Sequence, residues 1–195
     1  MEATECLPWF AAYVKPKHEK MVAMLLCGKG HETFLPTYRR QHKRSKHFDL
    51  PLFPGYVFCR CEWSNMLSVL STPGVFSIVG NGRIPEPVPE EEIENVRRMV
   101  QSDLSPCPWP YVSEGHEVSL TSGPLRGLQG HIIDTSQEKW LVVSLQILRR
   151  SVAVKLDRAS VAVDANAPGS EKHDDARASN RIALRAKQAI GAGVR

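Results

Sequence analysis

GPLRGLQGHIID, residues 123–134, places three glycines and a proline in its first eight positions and then turns apolar. The segment after that loop decides the fold. A phosphate-binding loop needs a strand before it, a helix after it and a Lys-Ser/Thr pair at its end. Here HIID, TSQEK and WLVVSLQI come next, and no Gly-Lys-Ser/Thr is present. Val143, Leu145 and Ile147 alternate on one side of LRRS, and Val152, Val154 and Leu156 on the other. That two-residue period is the period of strands. Gly123, Gly127 and Gly130 therefore read as glycines for tight turns and close strand approach in a small β-barrel. A nucleotide-binding loop is rejected, and with it the leading argument for an enzyme.

Working upstream, SDLSPCPWPYVS (102–113) carries Pro106, Pro108 and Pro110 at alternate positions. Such a stretch forms neither a helix nor a central strand, and it is expected to lie extended as a linker. Downstream of Val163 the chain becomes small and polar, with too little apolar surface to offset ordering entropy. Residues 164–195 are thus read as a disordered tail, with a transient basic helix from Arg181 to about Ile190. The organisation expected is a first domain over 1–101, the linker over 102–113 and the barrel over 114–163.

The first domain reads as alternating strands and helices. WFAAYV (9–14) suits a buried strand, and Pro16 suits the first turn of a helix carrying His18, Val22, Leu25 and Leu26. Gly28 and Gly30 stop that helix near Lys29. TFLPTYRR and LPLFPGYVFCRC are strand candidates, with prolines at their starts or edges. A short helix over 63–71 precedes Pro73-Gly74, and VFSIVG forms the last strand. PEEEIENVRRMV (89–100) is a helix whose acidic start and basic end complement its dipole, with Ile93, Val96 and Val100 facing inward. The fold class expected is α+β: an antiparallel sheet with packed helices, then a small barrel.

Composition bounds the rest. The chain has 195 residues, 42% hydrophobic and 24% charged, with a formal net charge of +4. It has enough apolar content for a core and a mild bias toward acidic partners. No apolar run approaches the roughly 18 residues of a membrane span, and Met1 to Leu7 lack a signal-peptide pattern. Five cysteines without CxxC spacing read as reduced thiols of a cytoplasmic protein. Cys59 and Cys61 share one face of a strand and are read as buried structural residues, two ligands short of a zinc site. His42 and His47 lack partners at metal-ligand spacing, and no nucleophile-base or paired-carboxylate arrangement is visible. No cofactor, metal or catalytic residue is expected. The run RRQHKRSKH (39–47) holds five Lys/Arg and no acid; alone it is a solvated loop, with no aromatic interleaved for base stacking.

Three separated motifs in the right order now carry a resemblance. EVSLTSGPLRGLQGHIID resembles a KOW motif, and WFAAYVKP, PLFPGYVF and STPGVFSIVG resemble the N-terminal domain of NusG. Residues 9–163 thus resemble the NusG/RfaH family of transcription elongation factors, and PLFPGYVF is close to the block of its specialised, operon-specific paralogues. The resemblance implies a ferredoxin-like N-terminal domain bound to RNA polymerase and an SH3-like KOW barrel that recruits other factors, without catalysis. It implies contact with the clamp helices of the polymerase largest subunit through Tyr13, Phe53, Tyr56 and Phe58. Tyr56 and Phe58, two apart on one strand, are expected to be equally exposed.

The same resemblance aligns Asn65, Met66 and Leu67 with a His-Thr-Thr contact to the polymerase gate loop, a departure that weakens that contact. It places Ile147 and Leu148 where the family binds a ribosomal protein of the NusE type or Rho, with Arg149 and Arg150 at a turn where glycine is common. It turns the basic loop toward upstream or non-template DNA, making Arg39, Arg40, Lys43, Arg44 and Lys46 phosphate contacts. A monomer acting off the membrane is implied. The competing reading is an RNA- or ribosome-binding KOW module acting in translation, which leaves the N-terminal motifs without a purpose.

Overall fold

The computed structural model describes residues 7–41, 47–81, 84–112, 117–134, 138–156 and 163–164. The chain divides into two compact units, Met1–Ile93 and Glu94–Arg195. The expected tail, 164–195, lies outside the described residues apart from Asp164.

In the first unit, β1 (Trp9–Val14) leads through a turn to α1 (Glu19–Gly28). Lys17 takes a φ of 67°, which breaks helical continuity, so Pro16 sits in the preceding turn and not in the helix's first turn. Next come β2 (Thr33–Phe34), β3 (Thr37–Gln41), β4 (His47–Pro51) and β5 (Tyr56–Arg60). A 3-10 turn (Trp63–Asn65) and α2 (Met66–Leu70) precede β6 (Val75–Ile78), β7 (Gly80–Asn81) and β8 (Ile84–Pro85). α3 (Glu90–Gln101) begins after Pro89 with three glutamates, continues past Ile93 into the second unit and carries Arg98 in its last turn. It buries Ile93, Val96 and Met99, whereas Val100, expected inward, is only half-buried.

The main sheet runs β2-β5-β1-β6, and β3-β4 and β7-β8 form separate hairpins. Strands β1 and β5 pair antiparallel, Phe10 with Cys59, Ala12 with Val57, and Tyr13 with Tyr56. Residues directly opposite share a face. Phe10, Ala12, Val14, Val57 and Cys59 therefore meet Val22 and Leu26 of α1 and Met66 and Val69 of α2 in one core. The other face carries Trp9, Ala11 and Tyr13 with Arg60, Phe58 and Tyr56. Its Trp9 end is closed: Arg60 lies 4.8 Å over the Trp9 ring, pairs with Glu32 (3.0 Å) and Glu90 (2.6 Å), and donates to the Leu7 carbonyl. Its Tyr13 end is open.

The second unit is an antiparallel sheet, ordered β14-β10-β11-β12-β13-β9. Its strands are β9 (Cys107–Trp109), β10 (Glu117–Leu120), β11 (Gln129–Asp134), β12 (Lys139–Leu145), β13 (Arg150–Leu156) and β14 (Val163–Asp164). The proline-rich stretch contributes β9 as an edge strand, the sheet position where missing N–H groups cost least. Val112 beyond it is held by Ser151 and Ser144, which accept from its N–H (3.1 Å) and donate to its carbonyl (2.7 Å).

The glycine-dense loop is a set of turns. Gly123 and Gly127 adopt φ of 84° and 79°, and Leu125 and Leu128 beside them are buried. Gly130 answers a different need: a Cβ there would stand 2.6 Å from the Val142 carbonyl of the neighbouring strand. A strand follows the loop, and no phosphate-binding helix opens there.

Candidate functional site

Tyr13, Tyr56 and Phe76 form an exposed aromatic cluster at the open end of the first sheet. Tyr13 lies between the other two, 5.6 Å from each ring centroid. Tyr13 is 40% exposed and Phe76 59% exposed, while Tyr56 is half-buried. Two glycine turns frame the cluster. The Val14 N–H donates to the Gly55 carbonyl and the Lys15 N–H to the Gly74 carbonyl, both at 2.8 Å. Gly55 has φ of 84°, and a Cβ on it would touch the Tyr13 ring at 3.5 Å. Its N–H donates to the carboxylate of the buried Glu19 at 2.9 Å. Glu19 thus ties the start of α1 to the turn that carries Tyr56.

Phe76 was not among the expected site residues, and a bulge puts it there. Tyr13 pairs with Ser77 and Val14 with Val75, so Phe76 is the extra residue on β6. Uninterrupted alternation would send Phe76 to the side of Ile78, which packs against the helix-covered core. The phase break instead brings its ring beside Tyr13.

Two of the four expected aromatic contacts are corrected. Phe53 is 1% exposed and Phe58 wholly buried, their rings edge-to-face at 5.7 Å, with Phe34 6.2 Å from Phe58. They are core, and a partner surface does not reach them. Tyr56 and Phe58 do share a face but not an exposure, because Phe34 and Phe53 cover only the second.

The remaining candidates are spread over the molecule. Asn65 and Leu67 are exposed, whereas Met66 packs into the helix-side core, on the opposite face from the aromatic cluster. Met66 is therefore withdrawn as a contact residue. Arg39 is exposed, with Asp49 at 3.8 Å across the β3-β4 hairpin, and Arg40 is half-buried. Lys43, Arg44 and Lys46 lie outside the described residues. In the second unit, Ile147 falls in the turn between β12 and β13 and is half-buried. Leu148 is 8% exposed, so it plugs that turn and offers little to a partner. Arg149 takes the left-handed φ of 46° that glycine would relieve, and it is exposed together with Arg150.

Cys59 and Cys61 are both buried free thiols. Cys59 shares its hydrogen with the Cys61 sulfur, which together with burial holds Cys59 far above the usual thiol range; the same bond holds Cys61 below that range, against the opposing effect of burial. Burial pushes Cys107 up to about 11. None of the three is an exposed nucleophile, and no group of three metal-ligating side chains occurs among the described residues. No helix among them is long and apolar enough to cross a membrane.

Comparison with known proteins points one way. Residues 7–97 match the family model described as NusG, transcription termination factor nusG. The chain is 22% identical over 116 residues to the transcription termination/antitermination protein NusG of Helicobacter pylori strain J99, covering 58% of this chain and 66% of that protein. It is 27% identical over 121 residues to the protein of the same name from Thermus thermophilus, covering 56% and 66%. The match thus spans just under two thirds of these relatives. The solved structure "Domain interaction in Thermotoga maritima NusG" is 25% identical, covers 79% of this chain and 95% of that one, and has a TM-score of 0.49.

Proposed function

This chain belongs to the NusG family, and from that premise we propose that it is a transcription elongation factor docked on RNA polymerase through Tyr13, Tyr56 and Phe76. The observation that carries this reading is the exposed ring cluster at the open end of the first sheet. Interface cores favour Tyr and Phe, and rings already packed against one another lose little side-chain freedom on binding. The partner surface is the clamp-helix pair of the polymerase largest subunit, the contact that the family resemblance implies. A photo-crosslinker in place of Phe76 is expected to capture the largest subunit at its clamp helices. Capture only elsewhere would overturn the assignment.

The finer parts of the reading follow the same premise. Asn65 and Leu67 are the residues left to meet the gate loop. The second unit is an SH3-like KOW barrel, with Ile147 and the Arg149-Arg150 turn as its contact to a NusE-type ribosomal protein or Rho. An operon-specific role is supported by the PLFPGYVF block alone. Arg39 and Arg40 neutralise phosphates of the nearby DNA. Replacing both with glutamine is expected to flatten the dependence of log affinity for assembled elongation complexes on log salt by about 0.9 per duplex phosphate lost. A titration across salt concentrations reads this directly, and an unchanged slope returns the hairpin to a solvated loop.

A further inference from the structure

We infer that the β3-β4 hairpin binds single-stranded nucleic acid, with Phe48 as a stacking platform for an unpaired base. The inference rests on the reading of this hairpin as a nucleic-acid contact and goes beyond phosphate neutralisation.

The register supplies the geometry. Tyr38 pairs with Leu50 and Arg40 with Phe48, so these four share one face; Arg39 and Asp49 pair on the other. The one carboxylate among the described residues of these two strands, Asp49, thereby lies on the other face, 3.8 Å from Arg39. The hairpin is a two-stranded sheet of its own, and Phe48 is 52% exposed on it. Among the described residues no aromatic ring stacks on Phe48. An exposed ring with a guanidinium directly opposite and a tyrosine on the same face has the parts of a single-strand site: a π-face for a base and a cation for its phosphate. The sequence at 39–47 has five Lys/Arg and no acid, which favours a polyanion over an apolar or basic protein surface. A duplex keeps its bases stacked on one another and offers Phe48 nothing but backbone. A single strand offers both groups.

The test uses the full chain without polymerase and fluorescence anisotropy with labelled oligo-dT, oligo-U and a mixed-sequence DNA duplex. Single strands are expected to bind more tightly than the duplex, and the dT and U arms distinguish DNA from RNA as the source. Phe48→Ala should weaken single-strand binding by about 5- to 150-fold per stacked base while leaving duplex binding within error. Phe48→Trp should retain or tighten it. Phe48→Leu, which keeps apolar area without a π-face, should lose as much as alanine. Full retention in Phe48→Leu, or equal affinity for duplex and single strand, overturns the inference. Binding lost in the Arg39/Arg40 variant but intact in Phe48→Ala overturns stacking and leaves the phosphate reading standing. No nucleic-acid binding at all overturns both, and neither result bears on the aromatic cluster, whose crosslink is read independently.

Discussion

Replacing Tyr13 and Phe76 together with alanine is expected to weaken binding to RNA polymerase core enzyme by about 30- to 1000-fold, the range for central aromatic anchors. The same variant should melt within a few degrees of the parent. Both rings are substantially exposed, at 40% and 59%, so folding gains little from their burial. What folding loses is their mutual contact, on the order of 0.5 to 1.5 kcal/mol per ring pair. Surface plasmon resonance with immobilised polymerase, paired with a thermal melt of the same preparation, separates the two quantities. Met24→Ser is the control: Met24 is the most exposed large apolar side chain of α1, 75% exposed, on the helix-covered side of the sheet. A loss of affinity confined to Met24→Ser would move the docking surface to α1 and overturn the aromatic assignment.

Which residues form this site was only half legible in the sequence. Tyr13 and Tyr56 are implied by the resemblance of WFAAYV and FPGYVF to the NusG N-terminal domain, and the structure pairs them across two antiparallel strands. Phe76 does not follow, since its position depends on a one-residue bulge, and a bulge inverts every parity argument after it. The Pro73-Gly74 pair before it, with Gly74 at φ of 94°, marks a sharp entry to the strand but not its phase. Phe48 escapes a linear reading for a related reason. It sits just after the basic run with no aromatic inside it, and only hairpin pairing sets it opposite Arg40. Secondary structure was more legible, because strand and helix periods are local. The glycine-dense loop shows this best: the alternation beyond it predicts strands, and β11, β12 and β13 are there. Leu148 marks where the local signal stops. Alternation ends one residue earlier, and the turn folds its leucine inward.

Phe58→Ala should act in the opposite way to the Tyr13/Phe76 variant, although all three residues lie on or beside the same sheet. Phe58 is wholly buried, paired across the strands with Ala11 and with Phe34, and in edge-to-face contact with Phe53. Truncating a ring in such a site removes its transfer free energy and leaves a cavity, at a cost of about 3 to 5 kcal/mol. The neighbours that would have to collapse into the cavity are themselves constrained. Phe53 is fixed by the turn through which the Tyr56 N–H donates to its carbonyl at 3.1 Å, and Ala11 has no side chain long enough to fill the gap. For a unit of this size the loss corresponds to a fall in melting temperature on the order of 10 to 30 °C. Polymerase binding measured well below the new midpoint should then be close to parental, because the exposed rings of Tyr13 and Phe76 belong to a different contact group. Measured near that midpoint it should fall in parallel with the folded fraction from circular dichroism. A Phe58→Ala protein that melts like the parent yet fails to bind would show that this ring reaches the partner, and that the buried packing against Phe34 and Phe53 opens when the complex forms.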